Sequence, residues 1–337
     1  MKNIVKTINK KNLKENIKHI KSLQKNVCAV VKADAYSHGI KNIVPEIDKE
    51  VSFYAVNTIK EAKIVRKLSQ KPILVLCGFE KRDLNFATNN NIHLAVFCKK
   101  QLEYIKKYVR KHTKTALIHL KINTGMNRLG FCFDELEDVK NIIKAEPRIK
   151  LFGVFTHFGG GSKKRNKEQN ETFLECQKMF SKTLVHSKSS SFLEEKSLEN
   201  EMVRCGLMLY GYGNKNVKPV LEVKAKIIFI GSIKKGDYVG YGTNFIAKQK
   251  MRYAVLAIGY SDGLFRNYAK SGYVLIHDKK AKICGNICMN MTIVNIDKID
   301  ANIGDYALIL GEKLDANIIA KNSGTICYEV LTNLGKK

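Results

Sequence analysis

Short apolar runs alternate with amphipathic segments through the first two-thirds of the chain. Val27 to Val31, Phe53 to Val56, Ile73 to Cys77, Ile92 to Phe97, Ala116 to Ile122, Leu151 to Phe155, Leu184 to His186 and Met202 to Leu209 have the length of buried strands. Between them lie helical patterns. Leu13, Ile17, Ile20 and Leu23 recur at helical spacing over 12–23, and Ile59, Ala62 and Val65 share a face over 57–68. A further helix is expected over 134–145. Strands alternating with helices predict parallel βαβ units, and this many in succession predict a (β/α)8 barrel. A doubly wound sheet is the alternative, but no Gly-x-Gly-x-x-Gly turn follows the first strand.

Beyond Pro219 the pattern changes. Ile227 to Ile230, Tyr253 to Ile258, Tyr273 to Ile276, Ile293 to Ile296 and Tyr306 to Leu310 are β-like runs punctuated by glycine. The expected fold is α/β: a TIM-like (β/α)8 barrel over 1–224, followed by a mostly β domain over 225–337. The run Gly159-Gly160-Gly161-Ser162-Lys163-Lys164-Arg165 reads as a solvated loop.

Composition narrows the class. The 337 residues are 45% hydrophobic and 27% charged, as in globular proteins, and hold no apolar run long enough to span a membrane. Lysines at 10, 11, 14 and 18 break any signal-peptide core, so a cytoplasmic protein is expected. Nine scattered cysteines suit reduced thiols, and Cys284 with Cys288 lacks the further ligands a zinc site needs. No metal is expected. The net charge of +28 is spread along the chain and accompanied by no nucleic-acid-binding motif, so it suits a small anionic ligand better than nucleic acid.

The chemistry gathers at predicted strand ends, where barrels carry their active sites. Lys32 ends the first strand; taken alone it is an ordinary strand-end lysine reaching for water. If desolvated, its amine becomes a nucleophile able to condense with a carbonyl cofactor. Lys121 ends the fifth strand and leads into Asn123-Thr124-Gly125-Met126-Asn127-Arg128. His157 follows the sixth, Ser187 to Ser191 the seventh, and Arg204 with Gly206 lie in the eighth. Each has a bland explanation singly; their convergence on one rim does not.

Ala29-Val30-Val31-Lys32-Ala33-Asp34-Ala35-Tyr36-Ser37-His38-Gly39 closely resembles the pyridoxal phosphate attachment motif of alanine racemases. The resemblance continues, in order, through His119–Gly130, Thr156-His157-Phe158, Met202–Gly206 with Leu209-Tyr210-Gly211, Ile258–Gly263, Gly285–Asn290 and Thr325–Glu329. It implies a homodimer with shared active sites that interconverts L- and D-alanine on pyridoxal 5'-phosphate and supplies D-alanine for peptidoglycan. Lys32 would hold the cofactor and act as base on one face of the substrate. Tyr260, from the partner subunit, would act on the other.

By the same resemblance, Tyr36, Ser190, Tyr328 and the backbone N–H groups of Gly206 and Leu207 would hold the phosphate. Arg204 would face the ring nitrogen, with His157 linked to it. Arg128 would meet the cofactor hydroxyl and the substrate carboxylate, and Met289 would present its backbone near the substrate. Lys121 aligns with a lysine that is carbamylated in some members.

This chain departs from the family pattern at several positions. Ser37 and Asn127 replace glycines, Asn123 and Asn290 replace aspartates, and Ser189 replaces asparagine. A broader racemase acting on serine, or a non-catalytic pyridoxal phosphate carrier, are the alternatives. Tyr260 argues against the carrier.

Overall fold

A computed structural model describes residues 2–180, 182–193 and 202–336. The apolar runs of the first two-thirds form one parallel sheet of eight strands. In spatial order these are Leu184–His186, Ile149–Phe155, Ala116–Lys121, Ile92–Val96, Ile73–Gly78, Phe53–Thr58, Val27–Val30 and Val203–Cys205. Apart from the pairing of Val27–Val30 with Val203–Cys205, neighbours in space are successive strands in sequence, as short βαβ connections favour. The first and last of that order also meet: Met202 and Arg204 N–H groups donate to the Val185 and Lys188 carbonyls at 3.3 and 3.1 Å, closing the barrel.

The strands are apolar throughout because both faces are covered. Every residue of Val27–Val30 and Ile92–Val96 is buried. Outside, helix Lys10–Leu23 buries Leu13, Ile17 and Ile20, each contributing about 1.5–3 kcal/mol. Asn9 caps its start, and Asn16 ties it to the carbonyls of Leu209 and Lys218. Helix Ile59–Arg66 starts at a capping box in which Thr58 and Glu61 satisfy each other's backbone N–H groups.

The glycine-punctuated remainder forms a second, antiparallel sheet around Leu221–Ile233, whose first seven residues alternate buried and half-buried. Strands Met251–Leu256, Thr292–Asn295, Tyr306–Leu310, Tyr273–Ile276 and Lys279–Lys282 complete it.

Four features differ from the sequence reading. Ile4–Ile8 is a strand that pairs antiparallel with Leu221–Ala225, so the N-terminus joins the second sheet. The eighth barrel strand is only Val203–Cys205; after it the chain turns tightly through Gly206. Lys163, Lys164 and Arg165 are not loop but the first turn of helix Lys163–Lys178, capped by Ser162. Helices Ala316–Ser323 and Cys327–Leu334 close the second domain. Among the described residues no helix is long and apolar enough to cross a membrane.

Candidate active site

Lys32 leaves its strand into a left-handed turn. Ala33, Asp34, Ala35, Tyr36 and Ser37 all have φ between 51° and 62°. For L-residues this costs on the order of 1–2 kcal/mol each, so surrounding bonds must impose it. Glu61 Oε1 accepts the Ala33 N–H at 2.6 Å, and Asp34 Oδ1 accepts the Ile40 N–H at 2.8 Å. Buried His38 packs against Tyr210 with the rings tilted at 31° and their centroids 4.4 Å apart. The turn delivers the Lys32 amine and the Tyr36 ring into one cavity.

That cavity measures about 970 Å³ and opens at the C-terminal ends of the barrel strands. It brings together Lys32, Tyr36, Lys121, Arg128, His157, Ser190, Arg204, Gly206, Leu207 and Tyr328. Among the described residues Glu329 is the one acidic residue of its lining, beside five cationic or imidazole side chains at Lys32, Lys121, Arg128, His157 and Arg204. Burial first, and Arg128 second, lower the Lys32 pKa. Lys121 is pushed down to about 8 by burial and by Arg128 and Arg204. Burial and the Arg204 charge take His157 to about 3, leaving it neutral at neutral pH.

Arg204 is buried on the strand that closes the barrel. Its Nη2 donates to the Thr156 carbonyl at 2.6 Å, and its Nη1 lies 2.7 Å from His186 Nδ1. The hydrogen-bonded histidine is therefore His186; His157 couples to Arg204 through charge alone among the described residues. Ser190 Oγ accepts the N–H groups of Gly206 and Met208 at 3.1 and 3.3 Å, which folds the turn beneath Tyr36.

Tyr260 and Met289 lie elsewhere. They line a separate hollow of about 580 Å³ with Tyr241, Arg266, Asn286, Ile287 and Cys288. Tyr260 is 44% exposed and Met289 56%. Their loops are joined by backbone bonds from Tyr260 to Cys288 and from Ser261 to Met289, each 3.0 Å. One copy of the chain thus carries the two halves of the expected machinery in two different places.

Comparison with known proteins decides the family. The profile for the alanine racemase N-terminal domain matches residues 8–214, and that for the C-terminal domain matches 220–337. The chain belongs to the alanine racemase family. An alanine racemase of Vesicomyosocius okutanii is 34% identical over 98% of this chain and 96% of its own. The solved alanine racemase of Clostridium difficile 630 is 30% identical with a TM-score of 0.91, covering 99% of this chain and 93% of that one. The alanine racemase of Bartonella henselae, solved with covalently bound pyridoxal phosphate, shares the fold at a TM-score of 0.92 and 24% identity, covering 100% and 98%.

Four of the departures from the alanine racemase pattern make local bonds; Ser189 has no such structural explanation. Asn127, replacing glycine, sits at φ 56°, a conformation asparagine tolerates better than most side chains. Its N–H and Oδ1 both bond the Asn123 side chain at 3.0 Å, so the two asparagines brace the loop that carries Arg128. Ser37, at φ 62°, donates its hydroxyl to the Thr332 carbonyl at 2.9 Å. Asn290 donates to Ser261 Oγ at 2.7 Å, beside Tyr260.

Sequence reasoning missed His186 and Cys77. His186 ends a strand already recognised, but only its contact with Arg204 distinguishes it. Cys77 lines the cavity beside Leu76.

Proposed function

We propose that this chain interconverts L- and D-alanine with pyridoxal 5'-phosphate held on Lys32, supplying D-alanine for peptidoglycan. The observation that carries it is the convergence of a desolvated lysine, two arginines and three hydroxyls in one cationic cavity. The donor set fits the cofactor. An amine whose pKa burial lowers suits its aldehyde, and the Tyr36, Ser190 and Tyr328 hydroxyls suit its phosphate, with the Leu207 N–H and the Gly206 N–H that Ser190 Oγ accepts.

When bound, pyridoxal phosphate supplies an electron sink that makes the α-hydrogen of an amino acid acidic. The Lys32 amine takes or returns that proton on one face. Tyr260 Oη of a second copy does so on the other. Arg128 binds the substrate carboxylate with its forked donors, and Met289 of the second copy presents its backbone near the substrate. Arg204 would hold the ring nitrogen of that cofactor as a donor that keeps its own proton.

The separation of Tyr260 from the Lys32 cavity supports a homodimer whose sites each take residues from two copies. Lys121 is suited to carbamylation, because a lysine brought to about 8 presents neutral amine to carbon dioxide. The resulting anion would orient Arg128 within a cluster otherwise short of negative charge. The free cysteines suit a reducing, cytoplasmic setting.

Purified protein loaded with the cofactor should racemise alanine, with L-serine a poor competitor. Lys32→Ala and Tyr260→Phe should each abolish measurable turnover. Cofactor binding without racemisation in the unaltered protein would instead select the carrier.

A further inference from the structure

Three histidines inside the barrel are bonded ring to ring. His93 Nδ1 lies 3.0 Å from His119 Nε2, and His119 Nδ1 lies 2.8 Å from His186 Nε2. His186 Nδ1 is in turn 2.7 Å from Arg204 Nη1. His119 and His186 are fully buried and His93 is 1% exposed.

The series climbs the barrel. His93 is the second residue of its strand, His119 the fourth of six, and His186 the last of its own. Space for it is made by sequence: a Cβ on Gly153 would stand 2.6 Å from His119 Nδ1 and 2.7 Å from the Leu184 carbonyl. At the lower end His93 meets Phe53 and Phe152 at near right angles, at 5.1 and 4.5 Å between ring centroids.

The direction of every bond follows from Arg204. A guanidinium only donates, so His186 Nδ1 must accept and Nε2 must carry the ring proton. That N–H donates to His119 Nδ1, which places the His119 proton on Nε2. The His119 N–H donates to His93 Nδ1, and the His93 proton is again on Nε2. All three rings are then neutral Nε2–H tautomers. Burial, which holds all three pKa values below the ordinary histidine range, agrees.

We propose that His93, His119 and His186 form a one-way hydrogen-bond chain that fixes the plane of Arg204 together with the carbonyls of Thr156, His186 and Ser187, and that His93 is a positioning residue for the reaction although it does not line the cavity. Without an acceptor at residue 93, His119 is free to move its proton to Nδ1. His186 must then present Nε2 as acceptor and Nδ1–H as donor, which sets donor against donor at Arg204. The reading rests on Arg204 being a cofactor contact, as proposed above.

The test uses His93→Phe, which removes the acceptor but keeps an aromatic ring, and His93→Asn, whose Oδ1 can replace Nδ1. Long-range proton–nitrogen NMR of the cofactor-free protein reads the tautomers, independently of activity. We expect Nε2–H alone for all three histidines in the unaltered protein, mixed tautomers at His119 and His186 in His93→Phe, and restoration in His93→Asn. In the loaded enzyme kcat should fall about tenfold in His93→Phe, with KM little changed and His93→Asn recovering most of it. An Nδ1–H tautomer at His186 in the unaltered protein would overturn the chain even if the enzyme is inactive. Mixed tautomers in His93→Phe with unchanged kcat would overturn the positioning role, as would unmixed tautomers with reduced kcat.

Discussion

The Tyr36 hydroxyl occupies the space that a side chain on residue 206 would need: a Cβ on Gly206 would lie 2.5 Å from Tyr36 Oη. Ser190 Oγ holds the same residue from the other side by accepting its N–H at 3.1 Å. Gly206→Ala must therefore displace Tyr36 from the phosphate subsite. Cofactor Kd should rise about tenfold, the equivalent of one charge-assisted hydrogen bond. Absorbance titration with pyridoxal phosphate checks this, and unchanged affinity would refute the role given to Tyr36.

Lys6, from the N-terminal strand, donates to the Gly335 carbonyl at 2.6 Å and the Ser37 carbonyl at 3.2 Å. It thereby joins the end of the left-handed turn to the chain just after helix Cys327–Leu334, which carries Tyr328. Lys6→Met should lower stability by about 1–2 kcal/mol and weaken cofactor binding with it. Urea denaturation and the same titration measure both; loss of stability with intact cofactor affinity would separate Lys6 from the site.

If each site takes Lys32 from one copy and Tyr260 from another, two inactive variants should complement. An equimolar, subunit-exchanged mixture of Lys32→Ala and Tyr260→Phe should recover about a quarter of the unaltered activity, since half the dimers carry one intact site. A mixture as inactive as its components would place both bases in one copy.

Buried histidines make stability depend on pH. His38 and His93 are held down to about 4, whereas the unfolded chain binds protons near the ordinary histidine value. Their contribution is fully present above about pH 6.5 and is lost as pH falls towards the folded values, by about 1.4 kcal/mol per unit for each ring. Unfolding free energy should drop by several kcal/mol between pH 7.5 and 5. A flat profile across that range would mean these rings take up protons in the folded state as readily as in the unfolded chain.

Both the strand–helix alternation and the change to a glycine-punctuated β domain were legible, because apolar periodicity is a property of neighbouring residues. So was the rim that gathers Lys32, Lys121, His157, Ser190 and Arg204, since parallel connections bring successive strand ends to one face. The strand Ile4–Ile8 was not: five residues among lysines alternate meaningfully only beside Leu221–Ala225. Helix Lys163–Lys178 was hidden by its polar face and by the glycines before it, burying only Gln169, Phe173 and Cys176.

Side-chain type and local spacing, both written in the chain, establish which residues carry chemistry and in what order. Which of them meet is a matter of folding. It turned Lys32 and Tyr36 into one cavity through five left-handed residues, a conformation no local preference selects and which bonds from Glu61, Asp34, Lys6 and Ser37 help to sustain. It gave Arg204 to His186 and kept Tyr260 in a hollow of its own. Contacts between residues far apart in the chain arise from closure of the barrel and packing of the two sheets, and no short window of sequence contains them.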